Sequence, residues 1–229
     1  MNQIIFSEHE NVKDIKKNIR KKFKFLLYSS IVLIFVAILY FLYSYYISNK
    51  NESISKGLLN SFNLERLYVN NNYVTVPLNS NRDYFVIGAI EIPSIKINYP
   101  ILSDTNDELL KISPCRFYGP FPNEVGNLCI AGHNYDNNQF FSNLYKLNVG
   151  DEIRIYNSSN YLIEYYIYDK YETNKNDTSC TSQNTNGNKE ITLVTCNNFN
   201  GNRLIIKARA QGYLRAGRVV CPLHSFAIY

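Results

Sequence analysis

The pattern of apolar and polar positions changes character twice along the chain. From Phe25 to Ile47 there is no charged side chain, and at about 1.5 Å per residue such a helix spans a hydrocarbon core of about 30 Å, which predicts a transmembrane helix over 25–47. The stretch is longer than a typical signal-peptide core and no small-x-small cleavage site follows Ile47, so removal as a leader is not expected. Residues 48–85 come next, with a weak helical spacing at Ile54, Leu58, Leu59, Phe62 and Leu67 before the asparagine run Asn70 to Asn72. They read as a stalk that serves as a spacer.

From Val86 onward the pattern becomes short apolar runs separated by turn residues. "VIGAIEIPSI", "INYPIL", "GNLCIAGHN", "DEIRIYN", "YLIEYYIYDKYE" and "ITLVTC" each read as strands. Two minor helical pieces interrupt them. In "DTNDELLKI", Asp104 or Thr105 caps the first turn, and Asp107 and Glu108 suit its dipole; in "NQFFSNLYKL", Phe140, Leu144 and Leu147 stand at helical spacing. The polar segment Thr173 to Lys189 is longer than a plain connection in a compact domain and is either a binding loop or a tolerated insertion. Many short strands with two minor helices imply an all-β barrel or sandwich over 86–210. Residues 211–229 show no clear period and have no assigned role.

Charge places the chain in a compartment. Seven of the 24 Lys/Arg and three of the 19 Asp/Glu lie in residues 1–24, so most of the net +5 sits beside the apolar stretch. A basic nucleic-acid face on the remainder is therefore not expected. Few basic residues follow the span closely, so the positive-inside rule puts residues 1–24 in the cytoplasm and everything after about Ser48 outside the cell. The five cysteines form no CxxC pair, which points to neither a zinc site nor a disulfide framework. No phosphate-binding or dinucleotide fingerprint is present, and no cofactor is expected.

Candidate chemistry lies in "ITLVTCNNFNGNR". A strand ends on Cys196, a turn of asparagine and glycine follows, and Arg203 opens the next run. A regular hairpin closed by Asn197 to Asn202 makes Cys196 and Arg203 the first opposed pair, on one face with Cβ atoms about 5 Å apart. A guanidinium there can hold a thiolate or donate to the oxyanion formed when that thiolate attacks a carbonyl. A proton carrier is also needed, and the extracellular part offers His133 and His224. His133 ends a strand at a loop-opening position, so it is the expected partner of Cys196. Cys129 reads as core in "NLCIAG", Cys115 follows Pro114, and Cys180 sits in the long loop.

The "TLVTC" motif with a following arginine and "AGHN" upstream resembles the sortases, the membrane-anchored cysteine transpeptidases of Gram-positive bacteria. The likeness covers about Gly88 to Ala210, including "GAIEIPSIKINYPI" and "FYGPFP", and is greatest to the class D enzymes of clostridia and bacilli. It implies an eight-stranded β-barrel with His133, Cys196 and Arg203 as the catalytic triad and Thr195 and Asn134 as substrate-binding positions. It also implies a thioacyl intermediate formed on an LPxTG-type signal and resolved by a peptidoglycan precursor or cross-bridge amine. The loop Thr173 to Lys189 corresponds to the family's substrate-recognition region. The competing readings are a sortase-fold hydrolase and a membrane-tethered, non-enzymatic β-domain for adhesion or wall binding.

Overall fold

The computed structural model describes residues 2–68, 74–78, 82–135, 137–159, 161–197 and 201–210. The tail 211–229 and its His224 lie outside the described residues.

Helix α1 runs Asn2–Tyr68. Its described side chains from Ile19 to Tyr46 are exposed all round, with Phe25, Leu33 and Phe41 among them. One segment of it, within Asn18–Asn63, is long and apolar enough to cross a membrane. The chain divides into two units, Met1–Lys50 and Asn51–Tyr229.

In the second unit, eight strands close a barrel in the order β1-β2-β3-β4-β7-β8-β6-β5. They are β1 Val86–Ile92, β2 Ile97–Leu102, β3 Cys115–Tyr118, β4 Gly126–Ala131, β5 Glu152–Asn157, β6 Leu162–Thr173, β7 Lys189–Cys196 and β8 Arg203–Ala210. The period-two pattern explains the interior: Ile90, Ile92, Leu128, Ile130, Ile153, Ile155, Ile191, Leu193, Ile206 and Ala208 all point into one buried cluster. Closure leaves the sheet with no free edge. Most neighbours are antiparallel, but β4 and β7 run parallel, with Gly126↔Lys189 through Ala131↔Val194 in register. Both strands therefore finish at the same end of the barrel.

The helical expectations need correction in detail. Helix α2 is the single turn Asp107–Leu110, and its N-cap is Asn106, whose side chain accepts from Glu108 N and Leu109 N. Asp104 caps nothing and instead accepts from Thr105 N. Phe140, Leu144 and Leu147 are all buried, yet only Leu144–Lys146 is helical, as a short 3₁₀ turn. Phe140 stands apart from it with φ +49°, so its spacing reflects burial from a loop rather than a helix face.

The stalk expectation also changes. Leu58, Leu59 and Phe62, on the C-terminal part of α1, are buried in a second cluster with Val86, Leu102, Leu109, Ile112 and Cys115. The apolar stripe at 54, 58, 59 and 62 is the face that covers the outside of β1 and β2. Within that layer Ser55 Oγ donates to Ser113 Oγ, which in turn donates to Pro100 O.

Candidate active site

The parallel pairing of β4 and β7 brings the two strand ends of interest together. Beyond the last ladder pair, Gly132 N donates to Val194 O at 3.1 Å and Thr195 Oγ1 donates to Gly132 O at 2.7 Å. Two residues beyond Gly132, Asn134 Nδ2 donates to Cys196 O at 2.8 Å. His133 lies between these clips, beside Cys196. Gly132 has a steric reason to be glycine: a Cβ there would lie 2.6 Å from Cδ2 of Phe141.

The β7–β8 hairpin supplies the third group. Its ladder runs without a bulge to Cys196↔Arg203, and its turn is closed by Asn197 N to Asn202 O at 2.8 Å and Gly201 N to Asn197 O at 3.0 Å. Arg203 Nη1 donates to Cys196 Sγ. The expected opposed pair is thus present, with the guanidinium on the sulfur.

Burial holds the His133 imidazole below its ordinary value, Lys111 and Arg203 add to this, and the Asp107 carboxylate opposes it. The Tyr135 ring lies 4.9 Å from the His133 ring, tilted against it. His133, Cys196, Arg203 and Asp107 open on a cleft of about 410 Å³. Thr105, Leu110 and Phe117 line one side, and Lys175, Thr178 and Cys180 reach it from the β6–β7 connection. The long polar loop of the sequence therefore forms part of the cleft wall. Cys196 is half-buried, whereas Cys115, Cys129 and Cys180 are buried free thiols. Burial raises Cys115 and pushes Cys129 up to about 12, which keeps both protonated and unreactive.

Two expected site residues have other partners. Thr195 is buried and its hydroxyl donates to Gly132 O, so it clips the two strand ends together. Asn134 spends its amide on the backbone of Cys196. Asp107, Lys111 and Tyr135 were not singled out as site residues; the "AGHNY" run marks Tyr135 only by proximity, and α2 reaches the site through folding alone. Among the described residues no cluster of metal-ligating side chains occurs.

A half-buried thiol held by a guanidinium, with a histidine on the neighbouring strand end, is equipped for acyl transfer through a covalent thioester. A protein-family model described as the sortase domain matches residues 90–211. The chain belongs to the sortase family. Its barrel resembles a Clostridium perfringens sortase D5 transpeptidase at 30% identity and TM-score 0.55, covering 72% of this chain and 99% of that one. It also resembles a lid mutant of Corynebacterium diphtheriae sortase A at 22% identity and TM-score 0.51, covering 68% and 95% of the two chains. Listeria monocytogenes sortase A aligns at 23% identity and TM-score 0.51, over 55% and 87%. No curated protein sequence matches the chain. The sortase is thus a cysteine transpeptidase, and its cleft lies where the ends of β4, β7 and β8 converge.

Proposed function

We propose that this sortase is a membrane-anchored, class D-type enzyme in which Cys196, His133 and Arg203 cut an LPxTG-type sorting signal and transfer the protein to a cell-wall amine. The single observation that carries the reading is the hydrogen bond from Arg203 Nη1 to Cys196 Sγ. It directs a permanent charge at Cys196, the half-buried thiol among the described cysteines, next to the end of β4, two residues before His133.

In the first step the thiolate of Cys196 attacks the carbonyl carbon of the Thr-Gly bond. The oxyanion that develops is stabilised by the Arg203 guanidinium. The C–N bond breaks as the His133 imidazolium gives its proton to the departing amine. The thioester that remains is attacked by the acceptor amine, neutral His133 takes the amine's proton, and the thiolate of Cys196 leaves. Asn134 and Thr195 hold the reacting strand ends rather than the substrate. The cleft wall from Lys175 to Thr181 selects the signal, and the charge bias of residues 1–24 orients the catalytic unit outside the cell.

The test is product analysis with LPxTG-type peptides, with and without an added amine. Ligated product with amine, and slow hydrolysis without it, fits transpeptidation. Hydrolysis at the same rate in both would make the chain a sortase-fold hydrolase, and no cleavage of any peptide would remove the substrate class.

A further inference from the structure

The loop that follows His133 is short, tight and strained. It leaves β4 and folds back at once: Phe141 N donates to His133 O at 3.0 Å, and Asn134 and Phe140 form an isolated antiparallel bridge. Asn138 and Phe140 both have positive φ, at +63° and +49°. Asparagine tolerates that region, but for a bulky aromatic residue it is a true outlier. Such strain persists only where the surroundings over-determine it.

Part of that support is visible within the barrel. Phe140 is buried and stands edge-on to Tyr99 at 5.1 Å and tilted to Tyr135 at 5.8 Å, and Tyr135 lies against the His133 ring. The neighbour of Phe140 is held from outside the barrel. Gln139 is buried, and its Nε2 donates to Glu52 Oε2 on α1 at 2.5 Å. Its Oε1 accepts from Asn137 Nδ2 at 2.8 Å, and its backbone O accepts from Ser142 Oγ. Glu52 is itself fixed by Lys56 Nζ at 2.8 Å, which is the first reason its carboxyl lies below the usual range. The bond to Gln139 is therefore charge-assisted and of the stronger kind.

We infer that Glu52 and Gln139 are positioning residues for the sortase reaction, and that the α1 segment from residue 51 braces the strained His133 loop through their hydrogen bond. The inference rests on the reading of His133 as the acid–base group. It extends the catalytic unit beyond the matched family domain, which begins at residue 90. Burial of Leu58, Leu59 and Phe62 holds the brace against the barrel, so the carboxylate meets the loop at a fixed place.

A charge swap separates this from a merely structural contact. In full-length protein in detergent micelles, Gln139→Glu sets two carboxylates against each other. The double variant Glu52→Gln with Gln139→Glu restores a donor–acceptor pair, and Asn137 still finds an oxygen at 139. With a quenched fluorogenic LPxTG-type peptide, kcat of Gln139→Glu is expected to fall about tenfold with KM unchanged, and the swap to return it to within about twofold of the parent. Amide exchange at Phe141, which needs no substrate, should quicken in the single variant and recover in the swap. Thermal midpoints show that each variant is folded. Parent-like kcat and Phe141 exchange in both Gln139→Glu and Glu52→Ala, or a swap that restores neither, would overturn the brace. His133→Ala with undiminished turnover would instead sink the acid–base reading, while the exchange measurement still decides whether the brace exists.

Discussion

Removing the Arg203 guanidinium tests the part of the site where geometry and chemistry are most closely joined. Cys196 and Arg203 are the last opposed pair of the β7–β8 ladder, and the turn beyond them is closed by its own backbone bonds. Arg203→Ala should therefore leave the hairpin in place and delete only the donor to Cys196 Sγ. Loss of one preorganised donor to a developing oxyanion costs about 10²–10³ in kcat, or about 2.7–4 kcal/mol. Arg203→Lys keeps a charge but loses the planar fork of donors, so it should fall between parent and alanine variant. Single-turnover formation of the thioacyl enzyme from an LPxTG-type peptide reads the acylation step directly. Alkylation of Cys196 by iodoacetamide divides the effect: it slows with acylation where the guanidinium holds the thiolate, and is unaffected where only the oxyanion is served. Acylation of Arg203→Ala at the parent rate would refute the assignment and reduce the hydrogen bond to a packing contact.

The remaining predictions use other contacts. Asn134→Ala removes the donor to Cys196 O; a net hydrogen-bond contribution of about 0.5–1.5 kcal/mol implies a fall in turnover of up to about tenfold with the thermal midpoint little changed, and unchanged turnover would contradict a positioning role. For His133, whose imidazole is held low chiefly by burial, the opposing Asp107 carboxylate favours the charged form. Asp107→Asn should thus lower its NMR titration midpoint further and Lys111→Gln should raise it; shifts of the opposite sign would contradict the electrostatic account. Phe62→Ala empties a site in the second cluster, where Phe62 is 4% exposed, and should cost about 3–5 kcal/mol, read as a lower urea midpoint. A midpoint equal to the parent's would mean that this helix segment is a spacer after all.

Local patterns carried much of the fold, and distant contacts carried the rest. Short apolar runs bounded by turn residues marked most of the strands, and the six residues between Cys196 and Arg203 were enough to set their register, because hairpin pairing is a local rule. The side-by-side placement of His133 and Cys196 was not legible in the same way. It depends on parallel pairing of β4 with β7 across a separation of 63 residues, as between Gly132 and Thr195. The strand-end position of His133 suggested the partner and the family resemblance agreed, but only the fold supplies the bonds that clip the two strand ends together. The stripe at Leu58, Leu59 and Phe62 was visible but read as a spacer, since a weak moment does not say what it packs against. Phe140, Leu144 and Leu147 misled because three buried residues from a loop and a 3₁₀ turn happen to share helical spacing. The family resemblance marked Thr195 and Asn134 as site positions; their hydrogen bonds to Gly132 O and Cys196 O are tertiary contacts that no local pattern shows. Gln139 offered no signal, because a glutamine beside the apolar pair Phe140 and Phe141 declares itself only through its partner on α1.

The central claim, that Cys196 carries an acyl group from a sorting signal to an amine, is tested most directly by intact mass. Full-length sortase in detergent, and its Cys196→Ala variant, would be mixed with LPxTG-type peptides and measured before and after addition of an amine. The account predicts an added acyl mass on the parent alone, discharged by the amine with formation of the ligated peptide. The same adduct on Cys196→Ala, or cleavage of the peptide with no dependence on Cys196, would contradict it.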